Sequence, residues 1–157
     1  MIISGYAGVG KSYLAHNFAN VIDLESTPFE KDWERYAKCA IHYHNQGYLV
    51  LTSCHKDIRK LIIEQVPTEQ RITIVPNIND KEFYRTRYAE RGNTEQFIQT
   101  QMDNWEKWLG EAENKLESEN WQTLNKGENL FNCIIRLSKE SPLPNPLRVY
   151  TKQWIGI

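Results

Sequence analysis

The sequence predicts an α/β protein of three layers, α/β/α, with a central, mostly parallel sheet between helices, and three observations carry that expectation. Short apolar runs rich in β-forming residues recur at 1–4, 21–24, 48–53 and 71–75. Stretches with apolar residues at helical spacing separate them. The first run leads directly into a glycine-rich turn and then a helical pattern, the strand–loop–helix order from which parallel sheets with right-handed crossovers are built.

Composition narrows the class further. At 157 residues the chain suits one compact domain, large enough to bury about two-thirds of its unfolded surface. Lys and Arg number 19 against 20 Asp and Glu, a net charge of −1, so the balance disfavours bulk nucleic-acid binding. Cys39, Cys54 and Cys133 are odd in number and widely spaced, which fits a reduced compartment better than a disulfide framework. The apolar runs are short and the glycine-rich motif starts almost at Met1, so neither a signal peptide nor a membrane span is expected and the location is expected to be cytoplasmic. There is no internal repeat and no low-complexity segment.

The first strand, 1–4, ends in Gly5-Tyr6-Ala7-Gly8-Val9-Gly10-Lys11-Ser12. This fits G-x-x-x-x-G-K-[ST], the P-loop pattern: glycines let backbone N–H groups surround phosphate oxygens, the Lys reaches the β/γ-phosphates, and the Ser hydroxyl meets Mg²⁺. ATP and Mg²⁺ are therefore the expected cofactors, with Gly5 to Ser12 and the following Tyr13 as nucleotide-binding candidates and Ser12 as the metal ligand. Leu14, Ala15, Phe18 and Ala19 continue at helical spacing.

The second strand, 21–24, puts Asp23 and Glu25 at its carboxyl end, the edge where ligands bind in open α/β sheets. Residues 31–46 place Trp33, Tyr36, Ala37, Ala40, Ile41 and His44 on one helical face. Cys39, His42 and His44 do not share a face, which argues against a common metal. Arg35 on this helix is a candidate contact to an anionic substrate, or part of a solvated face. The run 48–53 reads as a central strand, with Ser53, His55 and Asp57 at its carboxyl edge. A helix then runs toward Pro67 and carries Arg59, a candidate phosphate clamp or a surface Arg. No strand ends directly in Asp, the usual second Mg²⁺-associated residue. Mg²⁺ is thus expected on Ser12 and phosphates, with Asp23, Glu25 or Asp57 acting through water.

After the fourth strand the segment 79–93 carries Arg85, Arg87 and Arg91, three arginines in seven residues interleaved with aromatics. Arg87 and Arg91 share a helical face at i, i+4 while Arg85 points elsewhere. Such a segment suits a lid that brings arginines to a transferring phosphoryl group. Residues 94–117 read as one long amphipathic helix, and 120–128 as polar turn. Asn125-Lys126-Gly127-Glu128 lacks the Asp of a guanine reader. Residues 130–137 fit a short helix or a last strand. The Pro-rich stretch 141–146 reads as a rigid connector. Residues 148–155 alternate like an edge strand that pairs with the sheet or with a second subunit, a route to a homodimer.

In this order of parts the chain resembles the nucleoside and nucleotide monophosphate kinases, in particular the small P-loop kinases encoded by bacteriophages. The resemblance rests on Gly5 to Ser12 and, over 1–117, on acidic residues after strand two, Arg59 after strand three and an arginine-bearing segment before a long helix. It implies a P-loop NTPase fold with a core of about five strands, an ATP·Mg²⁺ donor and an arginine-bearing lid at about 79–93. A kinase-like domain would then span 1–141, with a connector and tail at 142–157. By the family pattern Lys11 and Ser12 hold phosphates and Mg²⁺, Asp23 and Arg59 face the acceptor, and Arg85, Arg87 and Arg91 belong to the lid. Ser53-Cys54-His55 departs from the Asp-Gly-Phe-Pro-Arg of adenylate-kinase relatives, so the acceptor does not carry over.

The resulting expectation is a phosphotransferase acting on a nucleotide, foremost a (deoxy)nucleoside monophosphate. Lys11, Asp23, Arg59, Arg87 and Arg91 are its catalytic candidates; Asp23, Glu25, Arg35, His55, Arg59 and Arg85 are the acceptor contacts. The alternatives are transfer to a hydroxyl of a nucleoside or of DNA, with Asp23 or His55 as base, and a nucleotide-binding switch or sensor without transfer.

Overall fold

A computed structural model describes residues 1–140 and 145–156. Five strands, β1 (Ile2–Gly5), β2 (Val21–Asp23), β3 (Leu49–Ser53), β4 (Arg71–Val75) and β5 (Trp121–Thr123), form one sheet in the order β2-β3-β1-β4-β5. All four pairings are parallel. Parallel order directs every carboxyl end to one edge of the sheet, so Gly5, Asp23 and Ser53 emerge side by side.

Alternation along the strands divides the core into two layers. Ile2 and Val50 face Tyr36 and Ala40 of α2 (Trp33–Asn45) and Ile58 and Ile62 of α3 (Lys56–Gln65). Ile3 and Leu51 face the other way, onto Leu14 of α1 (Lys11–Asn17) and Cys133, Ile134 and Leu137 of α8 (Leu130–Glu140). The three-layer α/β/α arrangement follows from this period of two in central strands covered on both faces. In α8 the buried positions Leu130, Cys133, Ile134, Leu137 and Ser138 recur at i, i+3, i+4, which settles that segment as helix.

The arginine-bearing segment forms α4 (Lys81–Glu90), whose inner face buries Tyr84 and Tyr88 in the main core. The single long helix expected over 94–117 is instead three short ones: α5 (Glu95–Asp103), α6 (Trp105–Leu109) and α7 (Glu111–Asn114). Asn104 ends the first, and Gly110, at ψ 110, takes an extended conformation that no helix accommodates. Asn114 Nδ2 then donates to the carbonyls of Lys107 and Gly110, closing the turn.

Two further expectations are corrected. The polar turn at 120–128 contains β5, which pairs with Thr73–Val75 and buries Trp121. The edge strand at 148–155 is a helix, α9 (Leu147–Ile155). Leu147, Tyr150 and Thr151 are buried on one side and Trp154 stacks on Phe18 at 4.8 Å, a helical spacing that wins over the apparent alternation. A homodimer formed by pairing that strand therefore has no strand to form it. The connector at 141–146 lies largely outside the described residues. Among those described, no helix is long and apolar enough to cross a membrane.

Trp105 joins α6 to the rest. It is fully buried, meets Tyr6 edge-on at 6.0 Å, and donates its Nε1–H to the Ile78 carbonyl at 2.7 Å. Trp105→Ala is expected to cost about 3–5 kcal/mol in urea-induced unfolding. A loss below about 1 kcal/mol would contradict this central position.

Candidate functional site

The loop from Gly5 to Lys11 leaves the sheet at its carboxyl edge, with Tyr6 N–H still donating to Ile74 O at 3.2 Å. Gly8 and Gly10 have φ of 84° and 110°, values in the left-handed region that favours glycine. The Lys11 side chain folds back across the loop, and its Nζ donates to the carbonyls of Gly5 at 2.7 Å and Tyr6 at 3.3 Å. Burial lowers the pKa of this amine, opposed by the nearby carboxylates of Asp23 and Glu25. Ser12 Oγ donates to Asp23 Oδ2 at 3.1 Å. This contact brings the end of β2 onto the first turn of α1, with the Asp23 carboxylate beside Ser12; contrary to the expectation that no strand ends directly in Asp, β2 does so at Asp23.

α4 is seated directly on this loop. Tyr88 donates its hydroxyl to Ala7 O at 2.8 Å, and a Cβ on Gly8 would come within 2.8 Å of the Tyr88 ring and 3.4 Å of Arg91 Nη1. The helix can lie so close only because Gly8 has no side chain. Arg87 and Arg91 consequently line the same cleft as the loop. Arg85 does not; it is exposed and pairs with Glu82 at 3.2 Å.

The cleft has a volume of about 1100 Å³. One wall is the loop with Asp23, Glu25, Ser53, His55 and Asp57 from the strand edges; the other is formed by Phe97 and Gln101 of α5, Trp108 of α6 and Asn114 of α7. His55 caps α3 by accepting from Asp57 N–H at 3.3 Å and lies 4.8 Å from the Trp33 ring. Tyr6 spans the two walls, donating its hydroxyl to Gln101 Oε1 at 2.9 Å. Lys56, from one wall, donates to the Glu113 carbonyl of the other at 3.3 Å.

Besides Arg85, two more of the expected acceptor contacts are occupied otherwise. Arg35 lies outside this cleft, 5.0 Å over the Phe29 ring, and donates to Pro28 O. Arg59, expected as a phosphate clamp, borders the cleft but is only 4% exposed. Its Nη1 lies 2.7 Å from both carboxylate oxygens of the equally buried Glu119. Its Nε and Nη1 also donate to the carbonyls of Cys54 and Asn114. Glu119 accepts from Leu116 N–H and the Thr73 hydroxyl as well. The pair is a strut between the walls, because a buried guanidinium satisfied in this way cannot leave for a ligand without stranding a buried carboxylate.

The α5–α7 wall is not legible in the sequence, which places these residues on one long amphipathic helix. Asn104 and Gly110 were the available signals for its bends. Asn93 also lines the cleft, and its buried Oδ1 has no hydrogen-bond partner. Among the described residues no group of three or more His, Cys, Asp or Glu side chains converges to chelate a metal. In comparisons with known proteins, no family model, no curated protein and no solved structure matches the chain.

The strut makes a distinctive stability prediction. Glu119→Ala, which leaves the guanidinium buried and unpaired, is expected to cost about 3–5 kcal/mol in chemical denaturation, whereas the apolar double variant Arg59→Met/Glu119→Leu recovers most of that loss. A Glu119→Ala cost below about 1 kcal/mol would mean that the carboxylate is not what holds Arg59.

Proposed function

We propose that this protein is an ATP-dependent phosphotransferase that moves the γ-phosphoryl group of Mg²⁺·ATP onto a nucleoside or nucleotide held in the same cleft. The observation that carries the reading is convergence. The Lys11 amine, the Ser12–Asp23 pair, Arg87 and Arg91 all border one cavity of about 1100 Å³. A triphosphate grip alone needs no second wall carrying Phe97, Gln101 and Trp108.

The chemistry required is mostly alignment and charge neutralisation. The Lys11 amine donates to the carbonyls of Gly5 and Tyr6. Phosphate oxygens are stronger partners, since charge-assisted hydrogen bonds are roughly twice as strong as neutral ones. The loop's glycines leave backbone N–H groups free to approach the β-phosphate closely. Arg87 stands on the helix seated by Tyr84 and Tyr88 and Arg91 caps its end, so their charge is delivered from a supported element to where the γ-phosphoryl group passes.

Ser12 Oγ and Asp23 Oδ2 lie 3.1 Å apart in the cleft and are hard oxygen donors. Such a pair suits Mg²⁺, which keeps several waters and binds through one or two protein oxygens plus phosphates. Ser12 and Asp23 would hold the ion, which would supply neutralisation of the charge that develops on the phosphates. Asp23 fixes the Ser12 hydroxyl for that role.

The reading is tested by titration calorimetry with Mg²⁺·ATP and by following transfer of label from γ-labelled ATP. Lys11→Ala is expected to weaken ATP binding by about 10² or more, the worth of a hydrogen-bonded charge, with an unchanged circular dichroism spectrum. Tight ATP binding with no transfer to any nucleoside or nucleotide would make the protein a sensor; ATP affinity unaffected by Lys11→Ala would remove the loop from the site.

A further inference from the structure

The glycine loop has a different neighbour at each end. At Ala7 and Gly8 it meets α4, where Tyr88 donates to Ala7 O and Arg91 stands beside Gly8. At Val9 and Gly10 it meets the start of α8: Leu130 N–H donates to Val9 O at 2.8 Å, and a Cβ on Gly10 would lie 3.9 Å from Leu130. On the phosphotransfer reading Arg87 and Arg91 mark the γ-phosphoryl end of the donor, so its nucleoside leaves the loop on the α8 side.

Tyr13 stands on that side. It follows Ser12 directly, lines the cleft and is 53% exposed, while its ring meets Phe131 of α8 edge-on at 6.3 Å and Phe18 at 6.4 Å. Phe18 is itself stacked on Phe131 at 5.3 Å and on Trp154 of α9 at 4.8 Å. An aromatic cluster thus backs the Tyr13 ring and still leaves more than half of the residue open. The other tyrosine, phenylalanine and tryptophan side chains lining the cleft are placed differently. Tyr6 is 7% exposed and donates to Gln101, and Phe97 and Trp108 belong to the α5–α7 wall.

A purine is flat, and stacking on an aromatic ring is favourable whichever base is presented, because every base has a π-face. Reading a base by its edge needs open donors and acceptors instead. The segment that leads into α8 spends its own on internal bonds. Asn125 Nδ2 donates to Glu128 Oε2 at 3.4 Å, and Arg136 donates to the two Glu128 oxygens at 2.8 and 3.0 Å. Gly127 N–H donates to Asp80 Oδ2 at 2.9 Å.

Resting on the phosphotransfer reading above, we infer that Tyr13 is the platform on which the purine base of the donor nucleotide stacks, and that the base is gripped by its face and not by its hydrogen-bonding edge. Adenine and guanine are then both accepted. Inorganic tripolyphosphate carries the phosphates without a base, so it reports on the glycine loop alone.

The test measures Kd by titration calorimetry for the Mg²⁺ complexes of ATP, GTP and inorganic tripolyphosphate with the full chain and its Tyr13 variants. ATP and GTP are expected to bind within about tenfold of each other. Tyr13→Ala is expected to weaken both by about fivefold to 150-fold, the range of a base–aromatic stack, and to change tripolyphosphate affinity by less than about threefold. Tyr13→Phe, which keeps the ring, is expected to restore nucleotide binding. A smaller loss of ATP affinity in Tyr13→Ala, a loss shared equally by tripolyphosphate, or GTP weaker than ATP by more than about tenfold overturns the inference and leaves phosphotransfer standing. A parent chain that binds neither ATP nor tripolyphosphate overturns both readings.

Discussion

The buried Arg59–Glu119 pair is the constraint on which the shape of the cleft depends. Glu119 lies just before β5 and reaches Thr73 of β4, the backbone of Leu116 and the guanidinium of α3. Arg59 in turn holds the carbonyls of Cys54, at the end of β3, and Asn114, at the end of α7. Two walls that are 60 residues apart in the chain at this contact are thus fixed to each other by one charge pair. Desolvation makes such a pair a poor source of net stability. Its value is geometric: neither wall can shift without breaking bonds inside the protein where no water replaces them.

A second constraint links the glycine loop to the arginine helix. Tyr88 approaches Ala7 and Gly8 so closely that a single methyl group at Gly8 would collide with its ring. Gly8 therefore serves two purposes, permitting the positive φ of the loop and making room for α4. Tyr84 and Tyr88 occupy the inner face of α4, and Arg87 and Arg91 flank them, so the packing that seats the helix also aims its charges. A freely hinged lid would have to recreate that aim at each closure; here the aromatic contacts hold it.

How much of this was legible in the sequence depended on the range of the interaction. Strands β1 to β3 were readable from short apolar runs and β4 from the alternation of Ile72 and Ile74 with Arg71 and Thr73, and the loop because its glycines and Lys11 lie within eight residues. β5 was not, since three residues with one large apolar side chain, Trp121, carry no period; its pairing with β4 creates it. α9 was misread because Val149 and Thr151 mimic alternation, while the contacts that matter, Leu147, Tyr150 and Trp154, follow the helical period and meet partners such as Phe18 more than a hundred residues away. Arg59 illustrates the limit most clearly. Its position one turn into a helix at the sheet's carboxyl edge suggested a ligand contact, and only the fold brings Glu119 to it.

The same limit explains why three expected acceptor contacts are engaged elsewhere in the fold. Read along the chain, Arg35, Arg59 and Arg85 are each candidate contacts to an anionic acceptor. In the fold Arg35 lies over Phe29, Arg59 is closed by Glu119, and Arg85 turns to Glu82. From the ends of β2 and β3 and the start of α3 the cleft is lined by Asp23, Glu25, Ser53, His55, Lys56 and Asp57. Charge near a site in sequence thus becomes charge in the site only where no internal partner has claimed it. A buried partner acts at short range and low dielectric, so it outcompetes any exchangeable ligand for the same guanidinium.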